Sequence, residues 1–158
     1  MLNETDHKQT QGRLDDLLTA DHAALDVTYR RMVGKFLGGD PDAIRAEWTL
    51  MEKQLEAHLR AEEQFILPRF ESSYPDEAEQ IRLEHKQIRD SLLQLGIDLD
   101  LHSLRADAGA AFIQTLRAHA QREERLLYKW AQEELPPGER HLVIENVRAV
   151  FDGLTDPV

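Results

Sequence analysis

Residues 41–68, PDAIRAEWTLMEKQLEAHLRAEEQFILP, decide the fold. Asp40 before Pro41 is an N-cap followed by a residue whose fixed φ suits the first helical position. Pro68 ends the run because it has no amide hydrogen with which to continue the ladder. Between these marks Ile44, Trp48, Met51, Leu55, His58, Glu62 and Phe65 recur at three- and four-residue spacing, the seam of an amphipathic helix. Two of those seven are polar. The stretch that specifies a helix therefore also asks what a histidine and a glutamate do on its buried side.

The same period extends in both directions, and no stretch alternates as a strand does. A helix from about Arg13 to Phe36, stopped at Gly38-Gly39, has the seam Leu14, Leu18, His22, Leu25, Tyr29, Met32, Phe36. A third begins around Asp76, after Ser72-Ser73-Tyr74-Pro75, and fades near His102-Ser103. Its seam is Ala78, Ile81, His85, Ile88, Leu92, Leu95, Leu99, His102. A fourth runs from about Asp107 to Leu135, stopped by Pro136-Pro137-Gly138, with Phe112, Leu116, His119, Glu123, Leu126 and Trp130 inward. Short connections make neighbours antiparallel, so the expected fold is all-α: an up-down-up-down antiparallel four-helix bundle over residues 13–135. A short extra C-terminal helix over 139–154 presents Val143, Val147, Phe151 and Leu154 on one face. That face must cover the bundle's flank or a partner chain, which makes a homodimer through this helix one expectation. At 158 residues, one domain with one core accounts for the length.

Composition narrows the function. Thirty acidic against nineteen basic residues give a formal charge of −11, which repels a phosphate backbone and an anionic bilayer alike, so neither nucleic acid nor membrane is an expected partner. The polar N-terminus MLNETDHKQTQGR has no apolar run behind it and reads as neither signal nor anchor, pointing to a cytoplasmic protein. With no cysteine, disulfides, thiolate zinc and iron–sulfur clusters are excluded, and any metal is held by nitrogen and oxygen.

Each of the four seams carries a histidine: His22, His58, His85, His119. One histidine on an apolar face is ordinarily a hydrogen-bonded core residue. Four, two of them followed four positions later by an inward glutamate (His58 with Glu62, His119 with Glu123), are different. An ionised buried carboxylate costs several kcal/mol unless it is paired or binds a cation. Counting ~1.5 Å per residue from the helix ends places all six residues at one height, nearer the end that joins the second and third helices. His102 is a control, about 25 Å along the same helix from His85 at ~1.5 Å per residue. It reads as a helix-terminal residue, and His7 and His141 as surface. Four imidazoles and two carboxylates exceed one tetrahedral zinc and suit two ions of higher coordination number.

These segments resemble the hemerythrin-like, HHE cation-binding domains. The resemblance rests on Asp21-His22-Ala-Ala-Leu-Asp26, His58-Leu-Arg-Ala-Glu62-Glu63, Glu84-His85-Lys-Gln-Ile and His119-Ala-Gln-Arg-Glu123-Glu124-Arg-Leu-Leu-Tyr128, and it spans Leu14 to about Leu135. It implies two iron ions, oxo- or hydroxo-bridged, with Glu62 and Glu123 bridging and the histidines terminal; zinc and manganese fit the same donors. It also implies dioxygen, or another diatomic or peroxide, as the small ligand. Oxygen-carrying members resemble this pattern with a fifth histidine on the third helix, where the flanking positions here are Ile81 and Arg89. Asp26, Glu63 or Glu124 stands open as a replacement. Solvated surface is the expectation for Glu63 and Glu124, and Asp26 is weighed equally as acceptor for a ligand imidazole or as exposed. Three functions follow: a non-enzymatic protein binding dioxygen or iron, a small oxidoreductase acting on peroxide or nitric oxide through the same centre, and a metal-free interaction module, which leaves the buried glutamates unexplained. Tyr29 and Trp48, near the layer, are expected as core.

Overall fold

A computed structural model describes residues 12–36 and 40–153, all helical apart from short connections. The helices are α1 Leu14–Phe36, α2 Pro41–Phe65, α3 Leu67–Phe70, α4 Pro75–Asp100, α5 Ala106–Arg125, α6 Leu127–Glu134 and α7 Pro137–Asp152. Among the described residues there is no strand, and no helix is long and apolar enough to cross a membrane. The expected stop at Gly38-Gly39, His7, Leu154 and the Phe36 side chain lie outside the described residues.

Asp40 caps α2 through its side chain, which accepts from the amide of Asp42, and Pro41 follows at the first position. α1 packs against α2 and α5, and α4 packs against the same two helices, so the four rods form a square. Cross-links show the directions: Lys35 meets Glu47 and Asp21 meets His58 between α1 and α2, so residue numbers rise on one helix as they fall on the other. Arg45 to Asp100 and Glu63 to His85 show the same for α2 and α4, and Glu77 to Arg122 for α4 and α5. The bundle is antiparallel and up-down-up-down.

Its core is two apolar clusters. One gathers Leu25, Met32, Trp48, Met51, Leu92 and Phe112 with their neighbours. The other gathers Leu14, Leu18, Phe70, Ile81, Leu127 and Val147. His58, Glu62, His85, His119 and Glu123, all buried, belong to neither. α7 closes the second cluster: Val143 and Val147 are fully buried against the chain's own core, chiefly over α2, so the apolar face of this helix covers the bundle's flank.

Two differences from the sequence reading matter. The fourth rod is not one helix: it is interrupted at Leu126 (φ −123, ψ −59), and α2 is interrupted at Ile66 with nearly the same angles (φ −116, ψ −55). Pro68 explains the interruption at Ile66 by removing an amide donor. Beyond each one the buried residues shift phase. Leu127, Tyr128 and Ala131 point inward where Leu126 and Trp130 were expected. The α4 seam also ends sooner than the pattern suggested, because His102 is exposed and turns the chain in the left-handed region at φ 54.

Candidate metal centre

The antiparallel register brings one inward position of each rod to one level, and six side chains meet there. Nε2 of His58 lies 2.7 Å from Glu62 Oε1, and Nε2 of His119 lies 3.0 Å from Glu123 Oε1. Glu123 also reaches His22 Nε2 through Oε1 and His85 Nε2 through Oε2, each at 3.3 Å. Two donor groups result, each with its atoms within 4.8 Å of one another: His22, His58, Glu62 and Glu123, and His85, His119 and Glu123. Glu123 belongs to both, while Glu62 faces the first. His141 stands apart on the surface, paired with Glu145, as does exposed His102.

Four further carboxylates hold the imidazoles from behind. Nδ1 of His58 donates to Asp21 (2.6 Å), His85 to Glu63 (3.3 Å), His119 to Glu84 (3.0 Å) and His22 to Glu124 (2.9 Å). Each acid lies on the preceding rod of the square, so the contacts run α1 to α2, α2 to α4, α4 to α5 and α5 back to α1 in a closed ring. With Nδ1 occupied as donor, the neutral form of each imidazole presents its Nε2 lone pair inward, the tautomer a metal ligand requires.

Two of these acids, and Asp26 outside the ring, depart from the sequence reading. Glu63 and Glu124 are half-buried partners of histidines rather than solvated surface, and Asp26 serves no imidazole: its oxygens take Arg117 (2.7 Å) and Arg30 (3.1 Å). The missed signal was adjacency. Asp21-His22, Glu84-His85, Glu62-Glu63 and Glu123-Glu124 each place an acid about 100° around the helix from an inward residue, aimed at the neighbouring rod.

Electrostatics show what the layer lacks. Glu62 and Glu123 are fully buried. Burial and the adjacent charge of Glu123 push the Glu62 carboxyl up, whereas Glu123, which burial alone would raise, is held well below its ordinary value by its neighbours Glu62 and His119. Burial pulls His58 and His85 down, but the surrounding carboxylates win: His58 lies well above its ordinary value and His85 is raised to about 9. Both oxygens of Glu62, Oε1 of Glu123 and Nε2 of His119 are buried with no hydrogen-bond partner. Each unsatisfied group costs about 1–3 kcal/mol, more if charged, against a total stability of about 5–15 kcal/mol. A layer of acceptors this expensive fits a cation.

The sequence matches the profile of the hemerythrin HHE cation-binding domain over residues 4–131. The chain belongs to that family. No curated protein and no solved structure gives a significant match. The hemerythrin HHE match ends before α7, so the helix that seals the second core cluster lies beyond the matched region. Family membership gives cation binding, and the two His/Glu groups are where this chain offers it.

A cavity of about 310 Å³ opens between α1 and α5 and leads to the layer. His22, His58 and His119 form its floor and Leu25, Leu55 and Leu116 its walls, with the Asp26–Arg117 pair also lining it. Tyr29 lines the same space and is buried, as is Trp48, both as core.

Proposed function

We propose that this chain is a di-iron protein that binds dioxygen or iron, with His22, His58, His85 and His119 as terminal ligands and Glu62 and Glu123 between the ions. One observation carries the reading: buried, unpartnered oxygens of Glu62 and Glu123 share a layer with four imidazoles whose lone pairs face inward. Iron in such a centre supplies reversible redox chemistry toward small oxygen species. The protein's own part is to hold the imidazoles in one tautomer, to keep bulk water from the layer with two apolar clusters, and to leave an opening between α1 and α5.

The cavity favours a second reading, a small oxidoreductase acting on peroxide or nitric oxide, because open space beside three of the ligands admits a reactant as well as a carried gas. Metal analysis of purified protein tests the first step, with two ions per chain expected and none refuting it. His58→Ala and Glu123→Ala then lower occupancy. Metal at 100 times Kd stabilises the wild type by about 2.7 kcal/mol, a Tm rise of about 5–10 °C that both variants lose. Spectra of the reduced protein before oxygen, with oxygen and after its removal separate the readings. Reversible charge-transfer bands favour carriage, and irreversible oxidation favours catalysis or iron handling.

A further inference from the structure

Tyr128 is a buried reactive group that the reading above leaves unused. It is 1 % exposed, and its hydroxyl oxygen lies 2.8 Å from Nε2 of His22 and 2.9 Å from Nε2 of His58. Glu124 and Asp21 face the two Nδ1 atoms, so the neutral form of each imidazole keeps its proton there and offers its Nε2 lone pair to the phenol. A phenol has one hydrogen and satisfies one of them at a time. With both imidazoles neutral, the other nitrogen, the phenol's own lone pairs, Glu62 Oε1 and Glu123 Oε1 are acceptors crowded together, a set that only added protons or a cation satisfies.

The backbone delivers this oxygen by an unusual route. Nine positions separate His119 from Tyr128, which in an uninterrupted helix, at about 100° per residue, turns the tyrosine about half a turn away from the histidine. The interruption at Leu126 changes that phase. Unlike its counterpart at Ile66, it has no proline nearby, and residues 123–130 contain neither proline nor glycine. The residue nine positions past His58 is Leu67, a hydrocarbon. Only the interruption without a local breaker brings an oxygen to the centre.

Building on the di-iron reading, we propose that Tyr128 is a metal ligand: its oxygen binds the ion on the side of His22 and His58 and leaves the ion at His85 and His119 without a phenolate. Ligation exchanges the phenol hydrogen for the metal, the proton passes to water, and no electron moves. The two ions are therefore chemically different, and an anionic oxygen on one of them favours its ferric state by Coulomb attraction.

Iron(II) loaded under argon and then oxidised in air gives the test, read by visible absorption and resonance Raman. The wild type shows a phenolate-to-iron band whose excitation enhances tyrosine ring modes. Tyr128→Phe loses both, and Tyr29→Phe keeps them. Ring-deuterated tyrosine shifts those modes in the wild type, a readout that stands even if Tyr128→Phe does not fold. In zinc titrations against a chelator, Tyr128→Phe weakens one of two sites roughly tenfold or more and spares the other. Two bound irons with no phenolate modes, or modes that survive in Tyr128→Phe, overturn the ligand assignment alone. A wild type that binds no metal overturns it together with the di-iron reading.

Discussion

Asp26 and Arg89 stand four residues beyond His22 and His85 on opposite rods of the square, and they carry opposite charge. Asp26 reaches across to Arg117, two residues before His119, while Arg89 reaches across to Glu56, two residues before His58. The two halves of the bundle thus make the same salt bridge with its ends exchanged. The exchange is not neutral for the site, because Arg89 also grips Glu63 at 2.6 Å, and Glu63 is the acceptor for His85.

Arg89→Ala should therefore weaken metal binding at the His85 side by about 10–100-fold, the usual cost of removing support behind a ligand. Asp26→Ala touches no imidazole and should change either affinity by less than a few-fold. Chelator competition on the two variants checks the contrast, and equal losses in both would refute it.

Acidity supplies a second expectation. His85 titrates at about 9 in the metal-free fold against 6.5 unfolded, burial being outweighed by Glu123 and Glu63. A raised value means that its contribution is complete below pH 6.5 and disappears as pH climbs through 9. Glu63, lowered to about 2 from 4.5 because His85 and Arg89 outweigh burial, contributes above pH 4.5 and loses that contribution as pH falls through 2. The metal-free protein should be most stable between about pH 4.5 and 6.5 and lose Tm steadily toward pH 9. The metal-loaded form, whose histidines are neutral ligands, should bind more tightly over the same rise as protons stop competing. A metal-free Tm that climbs from pH 6.5 to 9 would contradict this.

The cavity between α1 and α5 is the expected path for a small ligand. Ala23 is an exposed lining residue there, so Ala23→Trp narrows the passage at a cost of about 0.5 kcal/mol or less. Stopped-flow azide binding to the oxidised iron form should slow several-fold with the equilibrium spectrum unchanged. An unaltered rate would mean that entry lies elsewhere.

Val147 tests whether α7 is integral. Val147→Asp buries an unpaired charge at a fully enclosed position and should cost about 3 kcal/mol or more. Added metal should restore part of that loss, since the six inward residues all lie on α1, α2, α4 and α5. Denaturant melts with and without zinc measure both effects, and a wild-type midpoint in the variant would show that α7 contributes nothing.

Much of this was legible from residue spacing. The seam from Trp48 to Glu62, the caps at Asp40 and Pro41, and the common level of the four histidines all follow from a uniform helix. What escaped notice departs from uniformity or crosses between helices. Counting at a constant angle cannot register the interruption at Leu126, so it assigns Leu126 and Trp130 to positions that Leu127, Tyr128 and Ala131 fill. The acids behind the histidines sit off the seam, where helical phase alone marks them as solvent-facing, and only the neighbouring rod shows what they reach.

The closed ring of carboxylates has a mechanical meaning. No histidine in the layer answers to its own helix alone, because each is held by an acid from the rod before it. A change of charge at the centre consequently loads all four seams between rods at once, and a shift of any one rod tugs on the centre in return. The layer is placed like a keystone, so that any cation held there would be braced against the outer shape of the bundle.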